Sequence, residues 1–179
     1  MKFIKIISDL HLERKFKYIK FKKHELGGNL FLAGDLGSPL KENYWNFLYY
    51  ASINFDNIYF VSGNHEYWNN KKYTINDIDN LINDKIINLP NVNFLNNKKV
   101  FLNNYKILGT TLWSYTKNTK SIDYFKIQYN IQNKMNNKFF CKLFLKNIKW
   151  LNNNLNDNIP TIVLTHYLPS YDFTLPNKY

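Results

Sequence analysis

The chain has 179 residues, 45% of them hydrophobic and 18% aromatic, which is enough to bury the core of one domain and excludes a disordered polymer. No run approaches the ~20 apolar residues of a membrane span, and a single cysteine, Cys141, excludes an internal disulfide or a thiolate metal cluster. The formal charge of +11 admits a polyanionic partner, nucleic acid or a phosphorylated substrate, but the lysines are scattered among Asn, Ile, Tyr and Phe as A+T-rich coding would scatter them.

Phe3–Ile7 is the first predicted strand. Lys5 interrupts it and Asp9 ends it, so it is too short for the apolar core of a signal peptide, and an intracellular, cytoplasmic location is expected. The basic run from Arg14 to Lys23 follows; it reads as a solvated loop, or as cations that guide a phosphate inward. Leu30–Ala33 and Ile58–Val61 are the second and third strands, separated by a helix over Asn43–Ile53 with Tyr44, Phe47, Leu48 and Ala51 at helical spacing. Thr74 with Asp77 three residues on forms an N-cap pattern that opens a further helix through Ile75, Ile78, Leu81 and Ile82. Lys106–Thr110 is a fourth strand. Residues 114–138 are polar and weakly periodic, which predicts a mobile excursion over the site. A helix from about Lys138 to Asn153 and a last strand, Thr161–Leu164, complete the series. Long connections between the first three strands favour parallel pairing and an α/β layered fold.

Four of the strands run into polar groups able to bind a cation: Asp9-Leu10-His11, Gly34-Asp35, Gly63-Asn64-His65-Glu66, and His166. In open α/β sheets, sites form beyond the carboxyl ends of strands, which is where all four fall. Alternation along an extended chain predicts that Asp9 and His11 face the same way. Singly, Asp9 or Asp35 could be a turn-capping residue; the four groups in order point to one centre. Oxygen ligands mixed with imidazoles suit Mn²⁺ first, with Fe or Zn²⁺ as alternatives. Glu66 reads as a carboxylate that supports the turn and His24 as a surface residue. Tyr67, Trp68 and Trp113 read as packing groups, with stacking on a flat substrate as the alternative.

These blocks resemble the calcineurin-like metallophosphoesterase superfamily, whose pattern is D-x-H, G-D, G-N-H-[DE], a lone His after a strand, then G-H-x-H. The Gly109-Thr110-Thr111-Leu112-Trp113 stretch also looks like a segment that many members carry. The resemblance implies a two-layered β-sandwich flanked by helices. It implies two divalent ions, with Asp9 and His11 on the first, Asp35 bridging, and Asn64 and His166 on the second. It makes His65 the histidine that touches the phosphate and stabilises or protonates the leaving oxygen, so Asp35 and His65 are the expected catalytic pair. The implied reaction is hydrolysis of a phosphate mono- or diester by a metal-activated hydroxide.

The resemblance breaks after His166, where residues 167–179 contain no histidine and hence no G-H-x-H block. Residues 1–179 are therefore expected to form a single domain lacking its C-terminal part, with four or five protein ligands at the site. The missing block would lie in a continuation of the chain, be supplied by another chain, or be lost. A catalytically impaired remnant, or a basic nucleic-acid-binding module on the same fold, stands as the alternative function.

Overall fold

The structure is a computed structural model that describes residues 3–14, 19–115 and 120–170. Strands β1 (Ile4–Ile7), β2 (Asn29–Ala33), β3 (Asn57–Val61) and β4 (Val92–Phe94) lie side by side in that order, all parallel. Strands β5 (Lys98–Leu102), β6 (Tyr105–Thr110) and β7 (Thr161–Thr165) make a second sheet, with β5 and β6 antiparallel and β6 and β7 parallel. The expected α/β fold with two layered sheets and flanking helices is what forms. Each of the five expected strands is present to within one residue at either end.

Alternation of side chains along the strands explains the layering. Phe31, Tyr59 and Val61 point one way from the first sheet and close on Ile107 and Leu164 of the second, with Leu95 between them. Leu30, Leu32, Ile58 and Phe60 point the other way and pack on helices α1 (Glu42–Asn54) and α2 (Ile75–Ile86) through Tyr44, Phe47, Leu48, Ile78 and Ile82. On the far face of the second sheet, Leu108 meets Ile148 and Leu151 of helix α4 (Asn137–Leu155). Burial of each such side chain stabilises the fold by ~1.5–3 kcal/mol. Thr74 caps α2 as its sequence predicts, its hydroxyl accepting from the Asp77 N–H at 3.2 Å.

The expected excursion over residues 114–138 does reach the site, where Asp123 meets Asn64, and its described part packs against the body of the domain; residues 116–119 of it lie outside the described residues, as do residues 15–18 of the basic run. The stretch contains a short helix, α3 (Asp123–Lys126), and buries Asp123, Ile127 and Met135. Backbone bonds from Asn69 N and Lys71 N to Lys126 O, and from Ile75 N to Gln128 O, fasten it to the loop before α2. Its apolar contacts are too widely spaced to show a period.

One carboxylate couples α2 to the loop after β3. Asp79 accepts from the Tyr67 hydroxyl at 2.8 Å and from the Asn96 side-chain amide at 2.6 Å. Burial first raises its carboxyl from 3.8 to about 6, against the pull of those two donors and of Lys146 and Lys98. The folded protein thus binds this proton more tightly than the unfolded chain, so stability falls as pH rises from about 4 to about 6. Asp79→Asn removes that slope. The stability of the variant minus that of the wild type, from urea denaturation, should increase by up to ~3 kcal/mol between pH 4 and pH 7. A difference that stays constant with pH would contradict this account.

Candidate metal centre

The loops after β1, β2 and β3 meet at one end of the parallel sheet, and backbone hydrogen bonds bind the first two together. Asp9 N donates to Gly34 O at 3.1 Å, His11 N to Asp35 O at 3.0 Å, and Leu12 N to Leu36 O at 2.8 Å. Asp9 and His11 do face a common centre, but not along an extended chain. Their φ values are +57° and +48°, and that of Asp35 is +52°, all in the left-handed region that residues with a Cβ seldom adopt. A ligating atom from each of Asp9, His11 and Asp35 lies within 4.8 Å of the others.

The second half of the cluster joins β3 to β7. His166 Nδ1 lies 2.9 Å from Ala33 O, and a carbonyl only accepts, so this nitrogen carries a proton and Nε2 is the ring nitrogen available to ligate. The Asn64 amide donates to Asp123 Oδ1 at 2.9 Å, which turns its own oxygen the other way. His166 Nε2 therefore stands 3.3 Å from Asn64 Oδ1 and 3.6 Å from Asp35 Oδ1, so three groups able to ligate a cation meet. Such convergence is unfavourable for a bare protein and suited to a divalent cation, so the donor set fits a metal. Space points the same way. A Cβ on Gly63 would stand 2.7 Å from His166 Nε2 and 2.8 Å from Asp35 N, so only glycine leaves the cradle open.

His65 sits at the rim of this cluster and is buried. Its N–H donates to Asp35 Oδ1 at 2.9 Å, and its Nε2 is 3.9 Å from Asp35 Oδ2. The Trp68 indole stacks on the His65 ring at 3.7 Å between centroids, while Tyr67 and Trp113 are core groups packed against each other. Glu66 is fully enclosed, and accepts backbone N–H bonds from Gly63 at 2.7 Å, Leu36 at 2.8 Å and Asp35 at 3.1 Å. It locks the loops after β2 and β3 to each other. Burial, and then the charge of Asp35, push its carboxyl up to about 8, and the N–H donors oppose that shift. His24 lies on an exposed turn over Lys23–Glu25, as its sequence context predicts.

Two residues at this centre escape the sequence patterns. Glu13 Oε1 lies 2.7 Å from His65 Nδ1 and 3.5 Å from His11 Nδ1, so one carboxylate oxygen faces both rings. A carboxylate two residues beyond His11, continuing D-x-H into D-x-H-x-E, is the signal that could have found it. Asp123 carries no such signal. Arg14 stands at the mouth, its Nη2 3.4 Å from His65 Nε2 and its side chain largely exposed.

The family model described as calcineurin-like phosphoesterase matches residues 4–177. The chain is also 30% identical over 206 aligned positions to an uncharacterized protein of Acanthamoeba polyphaga mimivirus, an alignment that covers 100% of this chain and 72% of the viral protein.

Proposed function

This chain belongs to the calcineurin-like phosphoesterase family, and from that membership and the convergence at Asp35 we propose that it hydrolyses a phosphate mono- or diester with two divalent ions bound. Asp9, His11 and one oxygen of Asp35 would hold the first ion; Asn64, His166 and the other oxygen of Asp35 would hold the second. Mn²⁺ is the first choice for this mixture of oxygen and imidazole ligands, ahead of Fe or Zn²⁺. Bound there, divalent ions activate water as a nucleophile and neutralise charge on the phosphoryl oxygens.

The protein supplies the remainder. Arg14 offers a guanidinium at the open side, suited to steering and gripping a phosphate. Glu13 accepts from His65 Nδ1, which fixes the ring and aims Nε2 at the same open side. There His65 can contact the phosphate and hand a proton to the leaving oxygen. The stacked Trp68 indole keeps water from one face of that ring.

The single observation that carries this reading is the meeting of three groups able to ligate a cation, His166 Nε2, Asn64 Oδ1 and Asp35 Oδ1. The test is release of nitrophenol from aryl phosphate mono- and diesters with and without Mn²⁺. Metal-dependent release is expected, and a protein that takes up manganese yet releases nothing from either ester class contradicts the proposal. A basic nucleic-acid module on this fold predicts instead binding that survives chelation and weakens steeply with salt.

Glu13→Gln keeps the shape of the side chain and removes its charge. With an alkyl phosphate, whose leaving oxygen needs a proton, kcat should fall ~100-fold; with nitrophenyl phosphate, whose leaving group needs little help, only ~10-fold. Equal losses on the two substrates would remove Glu13 from proton transfer.

A further inference from the structure

We propose that Asp123 is a positioning residue that holds the Asn64 amide in the one orientation able to bind a cation, which rests on the reading of Asn64 as a ligand. A side-chain amide presents an oxygen at one end and an NH₂ at the other, and only the oxygen ligates. Asp123 Oδ1 lies 2.9 Å from Asn64 Nδ2, and an ionised carboxylate only accepts. The NH₂ must therefore face Asp123 and the oxygen must face His166 Nε2, 3.3 Å away.

The carboxylate is itself held rigidly. The same Oδ1 accepts from the Trp68 indole N–H at 2.7 Å, and Oδ2 accepts from the Ser121 hydroxyl at 2.8 Å. Asp123 is only 5% exposed, and the segment that carries it is fastened to the loop before α2 through Lys126 and Gln128. Without Asp123, the Asn64 amide is free to turn over and donate its NH₂ to His166 Nε2, 3.3 Å away. That arrangement occupies the imidazole nitrogen and competes directly with the cation. The segment around α3 thus sets metal affinity from outside the ligand set.

Manganese binding, measured by calorimetry or by the electron paramagnetic resonance of free Mn²⁺, tests this without reference to turnover. Asp123→Ala is expected to weaken binding 10- to 100-fold, the range typical of residues that orient ligands. Asp123→Asn keeps an acceptor oxygen and should stay within about threefold of the wild type. In an Asn64→Ala background the Asp123→Ala change should have no further effect. Should the alanine variant fail to fold, Asp123→Ser, too short to reach Asn64, takes its place with the same expectation. Unchanged affinity in the alanine or serine variant overturns the proposal, as does an equal loss in the Asn64→Ala background. Wild-type protein that binds no manganese overturns the reading of the site and this inference with it.

Discussion

Asp35→Asn should lower the number of manganese ions bound from two to one and reduce metal-dependent turnover at least ~10³-fold. Asp35 presents a different oxygen to each half of the cluster, Oδ1 at 3.6 Å from His166 Nε2 and Oδ2 at 3.9 Å from His11 Nε2. The asparagine is the same size but exchanges one of those oxygens for an NH₂, a donor that no cation accepts as a ligand. The bond from His65 N to Oδ1, 2.9 Å, can survive in the variant, so the loop keeps its shape. The Asp35 charge is among the causes that push Glu66 up, so its removal should leave the metal-free protein at least as stable. Calorimetric stoichiometry together with a melting curve separates ligand loss from unfolding. Two ions bound as in the wild type, with turnover within tenfold, would show that Asp35 does not bridge.

Gly63→Ala is expected to be as damaging by a different route. The added methyl would stand 2.7 Å from His166 Nε2 and 2.8 Å from Asp35 N, distances that real side chains do not adopt. Gly63 is not in the left-handed backbone region, so the whole penalty comes from lost space. His166 and Asp35 must move apart by several tenths of an ångström, more than metal coordination tolerates. Manganese affinity should fall at least ~100-fold, with a stability loss of ~1–3 kcal/mol from overpacking. Gly109→Ala provides the contrast. Its Cβ would meet Leu95 between the sheets, with Leu95 Cδ1 at 2.9 Å, so it should cost comparable stability and leave metal affinity unchanged. Equal affinity in the Gly63→Ala protein would mean that the cradle is not where the cation sits.

The parts of the fold that could be read from sequence are those buried on both faces. β2 and β3 are unbroken apolar runs because sheet lies against one side and helices against the other. β5 escaped notice because Lys98, Lys99 and Phe101 face solvent and only Val100 and Leu102 turn inward. β4 spans three residues and α3 four, too few for any period to show. The converging polar groups were legible because each sits in a short motif at a strand end. Asp123 was not, since it meets Asn64 across 59 residues of sequence, through a contact that only packing creates. The extended-chain argument for Asp9 and His11 reached the right convergence by the wrong path. The turn that aims them is left-handed, a conformation that Asp and His sequences do not announce.

That backbone has a consequence for how this protein could change. Asp9, His11 and Asp35 each occupy a conformation that glycine adopts freely and that costs other residues ~1 kcal/mol. Glycine at Asp9 would relieve that tension and part of the crowding of negative charge, giving a tougher protein with a damaged centre. Selection for heat resistance alone would therefore favour such a change at Asp9 whatever it does to the centre. Durability and metal uptake pull against each other at Asp9, so a screen for hardier variants has to demand metal uptake in the same round.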